Sequence, residues 1–427
     1  MRKLVFFFFG LLLGHLVFAQ NDEQKENDFA IGVQVRARGE YRNGALFPLE
    51  DGVDPAMFFN NRSRISMDYG REKLSVRFSA QHVNIWGQDP PTGRNGGFML
   101  NESWVNIHPG SGFFIKMGRQ PLAYDDQRML GAVDWNLSGR FHDALKLGYE
   151  NKQNKVHTVF AFNQNQDKIS GGTYYAPGGQ PYKTMQMVWY QYIGSKLLNV
   201  SIIALNLGFE AGNQTKTDVK NFQTFGTNLS VNPGDFQLYG TLYLQSGKTV
   251  AGKNVSAYMT SMNGSYQINP AWKIILASDY LSGDDGKDAD KYKAFTTLYG
   301  NNHSFYGTMD YFYSSGFING LNPGLWDNQI GLVLKPSSTI TLAFNLHHFQ
   351  TTTDVYVDSE KQKRSLGSEL DTQITWNIMK DVTLTGGYST MFGTDAMKAV
   401  KGGNPSKWQD WMWVSLNINP KVFVAKW

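Results

Sequence analysis

From Phe29 to Arg42 apolar and polar side chains alternate, with Ile31, Val33, Val35 and Ala37 on one face and Gln34, Arg36, Arg38, Glu40 and Arg42 on the other. A period of two over this length predicts a strand with one apolar face. The arrangement recurs in Phe58–Tyr69, where Asn60, Arg62, Arg64, Ser66 and Asp68 oppose Phe59, Ile65, Met67 and Tyr69, and in Leu74–Ala80, where Arg77 lies between Val76 and Phe78. Further strands are expected at Met99–His108, Phe113–Gln120, Phe141–Tyr149, Lys155–Asn163, Thr184–Gly194, Asn199–Phe209, Asn221–Val231, Phe236–Gln245, Val255–Ile268 and Trp272–Leu281. Others follow at Trp326–Leu334, Thr339–Phe349, Ser368–Trp376, Val382–Met391 and Trp411–Ile418. The total is about 18, an even number as single-chain bacterial barrels have.

The connections separate a barrel from a soluble sandwich. Short turns at Gly70, His108, Val231, Ile268, Lys335 and Asn377 alternate with long polar loops. Short turns on the periplasmic side and long loops outside are the habit of an antiparallel up-and-down transmembrane β-barrel. Both chain ends are then periplasmic. Trp86, Trp104, Trp189, Trp272, Trp326, Trp376, Trp408, Trp411 and Trp413 sit toward strand ends and are assigned to interfacial girdles, the alternative being that they fill a core. Asn417–Pro420 interrupts the aromatic-rich last strand that barrel-assembly machinery would read, and Ser282–Leu325 forms one large external loop that caps or enters the pore.

Composition narrows the class. Aromatic residues make up 14% of the 427 residues, charged residues 18%, and mean hydropathy is −0.38, too aromatic for disorder and too polar for a helical bundle in lipid. No stretch after the N-terminus is apolar enough for a transmembrane helix. Cysteine is absent, which removes disulfides, iron–sulfur clusters and thiolate zinc sites. Residues 1–19, with Arg2 and Lys3 before the apolar run Leu4–Leu13 and a small residue at Ala19, read as a cleaved signal peptide, leaving residues 20–427 as one barrel domain.

The net charge of +4 says less than its distribution, since every arginine except Arg364 lies at or before Arg140. A basic side chain facing lipid at the bilayer midplane costs about 2–4 kcal/mol. Arg36, Arg38, Arg62, Arg64 and Arg77 together would then cost about 10–20 kcal/mol, as much as the whole stability of a typical domain. They must face water, which inside a barrel means the lumen. On three consecutive strands they form one basic patch, joined by Arg119, Arg140 and Lys146, able to bind carboxylate or phosphate through the guanidinium fork. The competing reading is a structural ladder in which Glu40, Asp68, Glu102 and Asp143 neutralise the patch.

The connection between Phe113–Gln120 and Phe141–Tyr149 carries Asp125, Asp126, Arg128, Asp134 and Arg140 among Leu130, Val133 and Trp135. That mixture suits a folded segment, and Pro121–Gly139 is expected to turn inward, with Asp126, Arg128 and Asp134 narrowing the channel. The stretches GRQPLAYDDQRMLGAVDW and GRFHDALKLGYE, with SGDDGKDADKYKAFTTLYG and HSFYGTMDYF further on, resemble the alginate export family of bacterial outer-membrane porins. The resemblance implies export of an acidic polysaccharide such as alginate; the barrel is read as a monomer in the bacterial outer membrane, in contact with its lipid. A porin for other small solutes or oligosaccharides is the alternative.

Asp284, Asp285, Asp288 and Asp290 crowd one loop but lack the spacing and final glutamate of a calcium hand, and read as solvated rather than metal-binding. Adjacent His347 and His348 point to opposite strand faces. His82, His142 and His157 belong to no recognisable catalytic motif, so no enzymatic activity and no cofactor is expected, and location disfavours nucleic acid.

Overall fold

The computed structural model describes residues 26–89, 92, 97–164, 166–167, 169, 182–195, 197–213, 216 and 218–427; the expected signal peptide lies outside them. Antiparallel strands, 18 in all, close into one barrel. They are β1 (Asp28–Asn43), β2 (Ala56–Arg71), β3 (Leu74–Ile85), β4 (Phe98–Gly110), β5 (Phe113–Gln120), β6 (His142–Glu150), β7 (Asn154–Phe162), β8 (Thr184–Ile193) and β9 (Leu198–Glu210). The second half comprises β10 (Val219–Val231), β11 (Phe236–Lys248), β12 (Asn254–Asn269), β13 (Trp272–Leu281), β14 (Leu325–Leu334), β15 (Ile340–Gln350), β16 (Ser365–Met379), β17 (Val382–Gly393) and β18, in two pieces, Gln409–Ile418 and Lys421–Lys426.

Each strand pairs with its neighbours in sequence, and β18 returns to β1 to close the ring. The interruption at Asn417–Pro420 is a bulge rather than an end: Ile418 pairs with Val35, Lys421 resumes opposite Gly32, and Lys426 reaches Asp28. Pro420 offers its carbonyl to Val33 N–H at 3.0 Å, so a residue that cannot donate to a ladder still serves as acceptor. The two ends of the described chain meet, Asn27 N–H donating to the Trp427 carbonyl at 2.7 Å.

Alternation decides which side chains enter the barrel. Val35, Ile65, Phe78, Leu276, Ile330 and Leu346 stand exposed on the outer surface, where an apolar band meets lipid. The buried apolar side chains instead crowd the interior, and many come from connections: Leu122, Leu130, Tyr299, Met309, Tyr311 and Phe312 are almost fully enclosed. Interior packing also corrects the girdle assignment. Trp86, Trp272, Trp326, Trp376 and Trp408 are exposed, but Trp189, Trp411 and Trp413 are buried, with Trp411 donating to Glu40 inside the barrel. Trp104 likewise donates to Glu102 and lies under Lys116.

On the long-loop side a short helix, α1 (Asp395–Lys401), is capped by Thr394, whose side chain accepts from Met397 N–H. Its last residue, Lys401, is enclosed, donating to the Gly316 carbonyl at 2.6 Å and Ser315 Oγ at 2.8 Å over the Phe47 ring. Burial pushes this amine down to about 7. The unfolded chain therefore binds more protons than the folded one between about 7 and the ordinary lysine value, so docking of α1 strengthens as pH rises through that window. Limited proteolysis of the 394–408 connection should slow between pH 6.5 and 9. Lys401→Met should make the rate insensitive to pH.

Candidate functional site: a basic wall and the strap across the lumen

Arg36 on β1 and Arg62 on β2 are direct register partners, and Gln34 pairs with Arg64. Their outward neighbours Val35 and Ile65 face lipid, so all of these polar side chains point into the barrel. There they grip the connection between β5 and β6. Arg62, with no exposed surface, donates to the carbonyls of Leu137 (2.6 Å), Asn136 (2.7 Å) and Asp134 (3.0 Å), to Asp134 Oδ1 (2.7 Å) and to Gln34 Oε1 (3.3 Å). Arg36 donates to the carbonyls of Asp134 (2.7 Å) and Asn136 (3.0 Å), and Arg38 to that of Trp135 (3.1 Å). Gln81 on β3 and Asn101 on β4 both reach the Ser138 carbonyl. A hydrogen bond to a charged donor is worth about 1.5–3 kcal/mol, so this backbone segment is fixed to the wall.

The other end of the same connection is fastened elsewhere. Asp125 accepts from Ser201 Oγ on β9 (2.6 Å) and Trp189 Nε1 on β8 (3.1 Å). Arg128 lies between Asp126 (2.7 Å) and Asp279 on β13 (2.5 Å), and Asp279 also accepts from Ser261 on β12. Burial alone would push the Arg128 guanidinium down, but Asp279, Tyr306 and Asp126 around it hold it above its ordinary value. Burial likewise raises the Asp125 and Asp126 carboxyls, against the hydrogen bonds to Asp125 and the charge of Arg128 beside Asp126. The segment is therefore a strap running from the β8–β13 wall to the β1–β4 wall.

The second long connection, residues 282–324, lies against the strap. Gly131 N–H donates to the Tyr299 carbonyl (2.9 Å), Tyr299 N–H to Met129 (3.1 Å) and Asn301 N–H to Gln127 (2.8 Å), while Trp135 stacks on His303 at 4.4 Å. Its far side meets an acidic wall that the sequence reading overlooked. Glu369 on β16 accepts from Met309 N–H (2.8 Å), Asp371 accepts from Thr308 Oγ1, and His347 on β15 sits between Asp327 (2.9 Å) and Asp371 (3.6 Å). Asp279, Asp327, Glu369 and Asp371 were findable as the inward-parity residues of β13, β14 and β16.

Above the strap a cavity of about 630 Å³ is lined by Arg38, Arg42, Trp135, Arg140, His303 and Asp310, among others. Arg140 donates to the Gly300 carbonyl (3.1 Å). Arg77 pairs with Asp68 (2.8 Å) and Glu102 (3.1 Å), and Arg38 with Glu40 (2.8 Å), so a carboxylate ladder does offset part of the patch. Lys146 lies opposite Lys116, its amine 5.3 Å from the Tyr124 ring centre. Arg119 does not join the others: it shares the outward parity of Ile115 and Met117 and pairs with Asp143 (2.9 Å) at the rim of the barrel. Asp284 and Asp288 accept backbone N–H groups and shape turns of their own loop.

A family profile described as alginate export matches residues 28–406. The chain belongs to the alginate export family. No match exists among the curated proteins. Solved structures similar to this alginate export family barrel include Acinetobacter baumannii OccAB1, with TM-score 0.62, 13% identity, 93% of this chain and 97% of that one covered. Pseudomonas aeruginosa OpdL superposes with TM-score 0.62 at 11% identity over 92% and 99% of the two chains. Pseudomonas aeruginosa OccK2 (OpdF), in complex with glucuronate, gives 0.60 at 12% identity over 92% and 97%. These likenesses establish the barrel fold of this family member, and the family and fold together make it an outer-membrane porin.

Proposed function

We propose that this protein is a passive, non-enzymatic channel of the bacterial outer membrane that conducts anionic solutes, acidic saccharides being the class its lumen fits. The observation that carries this reading is the excess of inward arginine: among the described residues, Arg36, Arg38, Arg62 and Arg64 have Glu40 and Asp134 alone within ion-pair distance, and Arg38 lines the cavity above the strap. Arg42 and Arg140 extend positive potential into the vestibule. Basic side chains lining a pore select anions, and guanidinium suits carboxylates through its paired donors. The strap favours solutes small enough to pass beside it. Export of an acidic polysaccharide such as alginate is a second reading, favoured by family membership, and needs the strap to swing aside.

The channel acts as a monomer surrounded by outer-membrane lipid and inserted by barrel-assembly machinery. In planar bilayers under a salt gradient, the reversal potential should show anion preference. Changing Arg36, Arg38, Arg62 and Arg64 together to Gln should move it toward zero, and Arg140→Gln, which gives up one backbone hydrogen bond, should move it less in the same direction. Liposome influx of glucuronate over glucose should fall in parallel. A wild-type pore without anion preference would end this reading.

A further inference from the structure

The outer face of β13–β16 carries a feature that neither conduction nor barrel closure uses. Ser278, Asn328, His348 and Ser368 are successive register partners across β13, β14, β15 and β16, and all four share the outward parity of Leu276, Ile330, Leu346 and Leu370. They form a polar row among apolar outward neighbours, as Gln186, Asn206, Gln223 and Ser246 do across β8–β11, where the amides bond one another. Within the row Ser278 Oγ donates to Asn328 Oδ1 (2.9 Å) and receives Trp326 Nε1 (3.0 Å), and His348 Nδ1 lies 3.0 Å from Ser368 Oγ. Among the described residues, no hydrogen bond is made by the Asn328 amide N–H groups or by His348 Nε2, which carries the ring proton when Ser368 Oγ–H donates to Nδ1. A free donor on a lipid-facing strand is costly unless something outside the chain satisfies it.

Height and shape indicate what that is. The row lies one outward position below Tyr280 and Trp326, register partners whose rings sit 6.3 Å apart beside Tyr258. Aromatic belts mark the headgroup level, and two residues along a strand advance about 7 Å, so the row sits where acyl chains join their headgroups. Below it opens a groove of about 650 Å³ between Met262, Leu276, Ile330 and Leu346. Its floor includes Gly264, where an added Cβ would meet nothing nearer than a backbone oxygen at 4.0 Å.

We infer that this groove holds one acyl chain of an outer-leaflet lipid, with Asn328 and His348 donating to the carbonyl of its ester or amide linkage. The apolar groove takes the chain, the polar row takes the one acceptor such a chain carries at that depth, and the girdle above takes the headgroup. A second copy of the protein would bring strand side chains rather than a flexible chain ending in a carbonyl.

The test uses the full mature protein in nanodiscs of phosphatidylcholine doped with an analogue bearing a photoreactive group on one acyl chain. After irradiation, label should concentrate on peptides of β13–β15 over those of β2–β3, which present Ile65 and Phe78 to the same lipid. The double change Asn328→Leu with His348→Leu should lower that labelling about three- to tenfold, the scale of a lost hydrogen bond. Gly264→Phe, which fills the floor and leaves the donors intact, should lower it as well. Heat-modifiable gel mobility reports folding of each variant. Labelling uniform around the barrel would overturn the inference. So would efficient disulfide-linked dimers of Leu346→Cys, whose thiol is the sole one in this cysteine-free chain, since they would give the groove to a second copy.

Discussion

Deleting Asp126–Asn136 is expected to raise single-channel conductance severalfold and to erode discrimination among solutes. A barrel of 18 strands is wide enough for an aqueous lumen, and in this protein that lumen is crossed by the strap. The deletion removes the Asp134, Trp135 and Asn136 carbonyls that Arg36, Arg38 and Arg62 hold, together with the Arg128–Asp279 bond at the opposite wall. It also frees residues 282–324 from their backbone bonds to Gln127, Met129 and Gly131. The barrel itself should persist, because its ladders run strand to strand and the exposed wall charges would be hydrated by the water that replaces the strap. Bilayer recordings on a deletion variant shown to be heat-modifiable supply the measurement. Unchanged conductance would mean that the strap does not limit flow.

Arg128→Met should loosen the strap without removing it. The guanidinium is buried between two carboxylates, and breaking a buried pair by removing one partner costs about 3–5 kcal/mol because a charge is left uncompensated. Since every 1.4 kcal/mol is about a tenfold change in an equilibrium, that cost is enough to populate states in which the strap has left the β13 wall. The expected signs are flickering open-channel current and a lower temperature for loss of the folded gel form. Adding Asp279→Asn should restore part of the loss, as it removes one of the stranded carboxylates. A variant as quiet and as heat-stable as the wild type would show that the strap is held by the arginines of β1 and β2 alone.

Most strands were legible because lipid on one side and water on the other enforce a period of two, and Phe29–Arg42 or Trp272–Leu281 differ from β1 and β13 by a residue or two at most. The basic wall was legible for the same reason, since no membrane tolerates Arg36 and Arg62 on its side. Arg119 was misassigned by charge when parity with Ile115 and Met117 already placed it outside. The buried tryptophans Trp189, Trp411 and Trp413 took the alternative, core-filling place, because a strand end near a filled lumen offers an aromatic ring two apolar destinations and proximity to the end does not choose between them. The acidic wall spreads over three strands with short polar neighbours, so no local cluster announced it. That the strap's carboxylates would face arginines was readable from charge; that Arg128 would find Asp279, 151 residues later, was not, because it depends on which strands oppose one another across the ring.

The strap ties assembly order to sequence. Its two ends are fixed to β1–β4 and to β8–β13, walls made early and midway in the chain, whereas the cylinder closes only when β18 reaches β1. Residues 282–324 are packed against the strap and against Glu369 and Asp371 of β16, so they too belong to the inside. A cylinder already sealed would have to admit both connections through a rim crowded by its own loops. Filling before the bulged, two-piece β18 meets β1 is the order that avoids this, and on that order changes that weaken the β1–β18 seam should delay release of folded protein more than they alter the pore it encloses.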